Sequence, residues 1–275
     1  MTEIADFLPS GLRPPGLRLP SAVLDALPGD GRLERVTAPP EHQRLMSRMD
    51  AKFIAPRAAL AALLDILADH YVLLTAAGEP AARYVTVYFD TGAQDFLNAH
   101  LRGRRPRHKL RVRHYVDRQL SSLEIKSRMP GGRTDKTQRS QEFGSNRLES
   151  GAAAWAQSLT GVAGPLGAQA WTSCQRITLL HREHASRLTI DLNVALGSGV
   201  GARALQDRVL IELKRDRSRA EPALSQALYA AGARPVSVSK YVAAMLDAGA
   251  EARRARFVAV LGRLARSDYW RDCAQ

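Results

Sequence analysis

Residues 107–128 read RHKLRVRHYVDRQLSSLEIKSR, and their alternation decides the architecture. In an extended strand, residues i and i+2 share a face. Lys109, Arg111 and Arg113 therefore share one face, with Leu110 and Val112 opposite. Glu124, Lys126 and Arg128 do the same, with Leu123 and Ile125 opposite. Two such runs in succession predict a long hairpin, Arg107 to Asp117 and Gln119 to Met129. A half-solvated sheet also alternates polar with apolar residues. Here, however, the polar positions are almost wholly ionic.

The same device recurs along the chain. Arg48, Asp50 and Lys52 share a face. So do Arg187, Thr189 and Asp191, opposite Leu188 and Ile190, and so do Glu212 and Lys214, opposite Ile211 and Leu213. Arg176 and Thr178 continue the theme. With the hairpin, the segments Leu45 to Ile54, Arg83 to Asp90, Asp95 to His100, Ser173 to His184, Ser186 to Ala195 and Arg208 to Arg217 make eight expected strands, mostly in adjacent antiparallel pairs. Helices are expected at Pro56 to His70, Ser239 to Ala248 and Glu251 to Ser267, and an Ala/Gly-rich helical or irregular stretch over 147–170. The fold class that follows is α+β, an eight-stranded antiparallel β-barrel with flanking helices. A closed barrel must turn one face of each strand inward. The helices are numerous enough to cover apolar faces on the outside, which leaves the ionic faces to line a wet tunnel. Such a lining is intolerable when dry and unpaired. It is suited to a polyanion whose oxygens the cations cradle, with carboxylates holding a divalent metal.

The overall charge agrees. The 275 residues hold 40 Lys and Arg against 27 Asp and Glu, a formal net charge of +13. Leu101 to Arg147 alone carries 14 basic residues and 4 acids. A field of this sign attracts nucleic acid, anionic lipid, nucleotides or polyphosphate. Only six of the 40 cations are lysines (Lys52, Lys109, Lys126, Lys136, Lys214 and Lys240), and all fall in the segments already singled out. No apolar run is long enough to span a bilayer, and the acidic N-terminus does not resemble a signal peptide, so a cytoplasmic location is expected. Cys174 and Cys273 are expected to be reduced and structural. Residues 1–40, rich in Pro and Gly, read as a flexible arm, 41–249 as the tunnel domain, and 250–275 as a C-terminal helix.

Five motifs in order carry a resemblance: Arg48-x-Asp50-x-Lys52-Phe53; Tyr88-Phe89-Asp90-Thr91; Lys109-x-Arg111-x-Arg113-x-Tyr115; Leu123-Glu124-Ile125-Lys126-x-Arg128; and the later set of Arg176, Arg187 with Asp191, Leu210-Ile211-Glu212-Leu213-Lys214 and Ser239-Lys240-Tyr241. Together, over about residues 44 to 245, they resemble the VTC domain, the polyphosphate polymerase domain of the triphosphate tunnel metalloenzyme superfamily. The resemblance implies a tunnel that binds triphosphate and transfers the γ-phosphate of ATP to a growing polyphosphate chain with Mn²⁺ or Mg²⁺. It implies Lys52, Arg111, Arg113, Lys126, Arg176 and Arg187 as the catalytic set. Arg48, Lys109, Arg128, Lys136, Lys214, Ser239 and Lys240 follow as substrate-binding residues, and Glu212 as the metal ligand. Glu124 is read as a second metal ligand, the alternative for it, as for Asp50 and Asp135, being to pair with neighbouring Lys and Arg and hold them in place. Where tunnel triphosphatases resemble Glu-x-Glu-x-Lys on the first strand, this chain has Arg48-x-Asp50-x-Lys52, which weakens a hydrolase reading. Hydrolysis of triphosphate, or binding without turnover, are the alternatives.

Other motifs fail on context. The run from Gly197 to Ala202 fits a loose dinucleotide fingerprint, but a strand starts too soon afterwards to leave room for the required helix; it reads as a glycine hairpin loop. His181 and His184 read as a surface pair rather than metal ligands. The run Arg102 to Arg107 invites nucleic acid, yet aromatics are only 6% of the chain, so stacking platforms are not evident. It reads as a solvated loop.

Overall fold

The computed structural model describes residues 4–9, 33–43, 48–198, 201–237, 239–247 and 269–272. In chain order the strands are β1 (Arg35–Val36), β2 (Arg48–Pro56), β3 (Tyr71–Leu74), β4 (Ala81–Thr91), β5 (Arg107–Tyr115), β6 (Leu120–Arg128), β7 (Thr134–Gln141), β8 (Leu166–His181), β9 (Ser186–Ser198), β10 (Gly201–Leu205), β11 (Arg208–Asp216), β12 (Arg234–Pro235) and β13 (Trp270–Asp272). The α-helices are α1 (Ala59–His70), α2 (Asp95–Leu101), α3 (Ser150–Thr160), α4 (Pro222–Ala230) and α5 (Lys240–Asp247).

The ionic alternation produces the predicted hairpin. β5 pairs β6 from Arg107↔Arg128 to Tyr115↔Leu120, and burial along β5 alternates residue by residue. One antiparallel path, β12-β2-β11-β9-β8-β4-β5-β6-β7, contains eight long strands. The α+β antiparallel architecture is as expected, but the ring is not strictly closed: among the described residues no ladder joins β7 to β2. The edge of β2 is taken instead by β12, through Arg234↔Ile54 and Pro235↔Phe53, and the Val236 N–H donates to the Lys52 carbonyl.

The apolar faces point outward and are covered, as the sequence requires. Phe53, Ile177, Leu188, Ile190, Ile211 and Leu213 form one buried cluster with Leu60, Leu63, Leu64 and Leu67 of α1 and Leu224 and Leu228 of α4. Val85, Val87, Leu110, Val112, Leu123, Ile125 and Trp171 form a second with Phe96 and Leu97 of α2, Ala152 and Ala156 of α3, and α5. Each fully buried side chain of this kind contributes roughly 1.5–3 kcal/mol.

Three expectations change. Asp95 to His100 is not a strand but the helix α2. The Asp90 carboxylate accepts the N–H groups of Thr91, Phe96 and Leu97, and the Thr91 hydroxyl accepts the Asp95 N–H, so the donors of the first turn are satisfied and helix wins. The eighth long strand is β7, whose sequence TDKTQRSQ has no apolar alternation to announce it. The N-terminal arm is docked at both ends: Ile4, Phe7 and Leu8 belong to the second apolar cluster, and β1 pairs β3. The helix read at 251–267 lies outside the described residues, as do 10–32 of the arm and Cys273; near the C-terminus, β13 pairs β10. The glycine loop after Gly197 is a β9–β10 hairpin as expected. Gly197 is required there, because a Cβ would lie 2.6 Å from the Gly201 carbonyl oxygen and 2.7 Å from the Trp171 ring.

Candidate functional site: a basic tunnel

A cavity of about 190 Å³ opens on the ionic faces and takes its lining from seven of the eight long strands together with the start of α5. Only a sheet curled upon itself can bring so many strands around one space. Its cations are Lys52 (β2), Lys109, Arg111 and Arg113 (β5), Lys126 (β6), Arg176 (β8), Lys214 (β11) and Lys240 (α5). Against these eight stand two carboxylates, Asp191 and Glu212.

The carboxylates act as clamps on the cations. Asp191 takes Arg176 in a two-pronged pair at 2.6 and 2.9 Å, and also accepts from Lys240. Burial would raise its pKa, but Arg176 and Lys240 outweigh it and hold the carboxyl far below the usual carboxylate range. Glu124, 1% exposed, lies beneath the lining rather than in it. Its Oε2 accepts from Arg111 at 2.7 Å, and its Oε1 accepts from Lys136 at 3.0 Å and from the Tyr115 hydroxyl at 3.3 Å. Burial again opposes ionisation, and Arg111, Arg113 and Lys136 overcome it, holding Glu124 down to about 2. Glu212 is less committed: Lys214 stands 3.6 Å away, and its partner across the ladder is Lys52. Lys214, Lys52, Arg176 and Lys240 together outweigh its burial and lower its pKa.

Lys109 sits at the crowded end. Its Nζ donates to the Ser239 hydroxyl at 3.0 Å, and that hydroxyl also accepts the Val242 N–H, capping α5. Burial, followed by Lys52, Lys126, Arg111 and Arg107, pushes the Lys109 pKa down to about 7. Tyr241 borders the cavity beside Lys109, its ring 5.4 Å from the Lys109 Nζ and its hydroxyl bonded to Asp90 at 3.2 Å. Asp90 thus fastens β4, α2 and α5 together.

Ten of the residues singled out from sequence line the cavity: Lys52, Lys109, Arg111, Arg113, Lys126, Arg176, Glu212, Lys214, Ser239 and Lys240. Arg187 faces Lys214 across the β9–β11 ladder, outside the lining. Arg48 is known by register alone, opposite Asp216. Lys136 stands on β7 opposite Lys126 and reaches Glu124. Arg128 lies opposite Arg107 at the far end of the β5–β6 hairpin. Tyr84, Thr86, Tyr88, Thr172 and Cys174, which also border the space, carry no site role in the sequence reading, although Tyr88 stands in one of its motifs and Cys174 is read there as structural. Tyr84, Thr86 and Tyr88 were findable by the same i, i+2 rule, but their uncharged side chains gave no ionic signal. Tyr84 lies 5.8 Å from the Arg113 guanidinium and 5.3 Å from that of Arg176. His181 and His184 are not the expected surface pair: His181 is buried, its ring lies 3.5 Å from that of His184 and packs beside Tyr71, and neither lines the cavity.

Among the described residues no three His, Cys, Asp or Glu side chains converge on one point. The donor set still fits a hard divalent ion of the kind that takes one carboxylate and completes its shell with water and substrate phosphates. Glu212, with hard oxygen donors and only a loose lysine neighbour, is the lining residue that matches.

A curled antiparallel sheet around a cationic bore defines a triphosphate-tunnel protein. The VTC domain family matches residues 47–248, so the chain belongs to that family, and with it to triphosphate and polyphosphate chemistry. Similar solved structures include an adenylyl cyclase candidate from Hippeastrum described as having a dominant triphosphatase activity, 18% identical over 71% of this chain and 93% of that one, with a TM-score of 0.46. Another is an adenylate cyclase candidate from Bacillus halodurans, 15% identical over 72% and 96%, with a TM-score of 0.49. No curated protein matches the chain. Among the described residues no helix is long and apolar enough to cross a membrane.

Proposed function

We propose that the chain is a polyphosphate polymerase that transfers the γ-phosphate of ATP to the end of a polyphosphate chain inside the tunnel. The observation that carries this reading is the lining: eight basic side chains from five strands and a helix, several of them oriented by carboxylates. Phosphoryl transfer demands in-line positioning and charge neutralisation more than covalent chemistry. Arg111, Arg113, Lys126 and Arg176 would grip the triphosphate, Lys52, Lys109, Lys214 and Lys240 would extend the grip along the bore, and Arg187 would act beside Lys214. The bond from the γ-phosphorus to the β–γ bridging oxygen breaks, ADP leaves, and a new bond forms to a terminal oxygen of the chain.

The choice of polymerase over hydrolase rests on the nucleophile. Water requires a base to take its proton, and both lining carboxylates are held low by cations. The neutral amine of Lys109 regains its proton once a polyanion surrounds it. A chain terminus needs no such help, because its oxygen is already ionised. Glu212 would hold a Mn²⁺ or Mg²⁺ ion, which, when bound, neutralises charge on the phosphate oxygens. Glu124 fits a positioning role, fixing Arg111 and Lys136, better than a metal-binding one.

The test is to incubate pure protein with ATP and Mn²⁺ and size the acid-stable phosphate on a gel. Lengthening chains support the polymerase; orthophosphate alone supports the hydrolase; no turnover supports a binding module. Lys126→Glu should abolish tripolyphosphate binding, and normal binding by that variant would remove the tunnel assignment itself.

A further inference from the structure

A second group of cations lies outside the cavity lining. Arg107 and Arg128 face each other in the β5–β6 ladder, and like charges directly opposite destabilise a sheet. Arg105, in the loop before β5, joins them. A Cβ placed at Gly132 would lie 3.4 Å from Arg105 Nη1 and 3.6 Å from Arg128 Nη2, so both guanidinium groups converge on one bare stretch of backbone. Arg128 is held there by donating to the Thr134 hydroxyl at 2.7 Å. Arg107 Nε is buried and has no hydrogen-bond partner. The nearby Asp135 is taken by Arg133, and among the described residues no carboxylate pairs with any of the three arginines. Burial, then Arg105 and Arg128, lower the Arg107 pKa, a further mark of crowded positive charge. The sequence presents this run as a solvated loop; the fold gathers it into a fork of guanidinium groups.

We propose that Arg105, Arg107 and Arg128 bind a segment of linear inorganic polyphosphate as it leaves the tunnel. The proposal rests on the reading of the cavity given above. Continuity carries it: Arg113, Arg111, Lys109 and Arg107 form one row along β5, each step about 7 Å. A linear anion held by the first three runs on to the fourth, where Arg128 and Arg105 flank it. A triphosphate seated in the cavity has no need of the trio, so only a longer chain gains from it. Nucleic acid is disfavoured because none of the ring–cation contacts among the described residues involves Arg105, Arg107 or Arg128, and single strands are held by aromatic platforms set among such cations.

The experiment compares binding of tripolyphosphate and of long-chain polyphosphate to the full chain and to Arg105→Glu. Arg104→Glu, an equally exposed change in the same loop, serves as the control for net charge. The expected result is unchanged tripolyphosphate binding and about tenfold weaker long-chain binding for Arg105→Glu, with Arg104→Glu near wild type for both. Equal losses for the two ligands, equal effects of the two variants, or a wild type with no preference for the longer chain would each overturn the proposal. So would single-stranded DNA competing as well as polyphosphate of matched charge. A wild type that fails to bind tripolyphosphate at all strikes the cavity reading instead, while long-chain binding that still depends on Arg105 would uphold the trio on its own.

Discussion

At pH 8 the Lys109 side chain of the free protein is largely uncharged, because burial and four neighbouring cations push its pKa down to about 7. A bound polyanion reverses those influences and restores the proton. Tripolyphosphate binding at pH 8 is therefore expected to take up about one proton, and affinity is expected to fall as pH rises above about 7. Calorimetry in two buffers of different ionisation enthalpy measures the uptake. Lys109→Met should lack it; persistence of the full uptake in that variant would place the proton elsewhere. The stability of the free protein moves the other way: the unfolded chain binds the extra proton between about pH 7 and 10, so this group's contribution to stability rises with pH in that window. Glu124 offers a second test. Glu124→Gln adds net positive charge to the tunnel, yet it should weaken tripolyphosphate binding about tenfold and destabilise the fold by about 2 kcal/mol, since Arg111 loses its ionic anchor. The Mn²⁺ requirement should stay as in wild type; a large rise would show that Glu124 is a metal ligand after all. At this scale the i, i+2 rule made the cations of β5, β6 and β11 readable from sequence alone. What it could not supply was partnership. Asp191 meets Lys240 only because the fold closes 49 positions of chain between them.

Elements were legible in proportion to their periodicity. β5, β6, β9 and β11 alternate ionic with apolar residues and were placed nearly to the residue. β7 has an exposed, wholly polar sequence and is a strand only because β6 offers it an edge, from Ser121↔Gln141 to Arg128↔Thr134. α2 was misread because its stability comes from outside itself, from the Asp90 carboxylate seated on its first turn. The same carboxylate holds Tyr241, so its loss should be felt in two places. Asp90→Ala leaves several buried donors unpaired and is expected to cost about 3 kcal/mol or more, measurable as a lower urea midpoint. It should also weaken tripolyphosphate binding, because α5 carries Ser239 and Lys240 to the cavity. A variant that is destabilised but binds normally would show that α5 keeps its place without Asp90.

For the whole molecule, the decisive relation is between the two sides of one sheet. Apolar faces lie under α1 and α4 on one flank and under α2, α3, α5 and the N-terminal turn on the other, while the ionic faces meet across the bore. Seven cations, joined by Lys109 below about pH 7, stand around two carboxylates and repel one another in the free protein. Anything negative that enters the bore and not the unfolded chain should raise the melting temperature. Tripolyphosphate is expected to do so at micromolar concentrations and sulfate only at much higher ones; a melting temperature indifferent to both would mean that the cations are already neutralised. The molecule thus fills two of its interiors with its own leucines and valines and lines the third with charge. If an anion binds there as proposed, it would relieve the crowding of like charge that the fold itself builds into the bore.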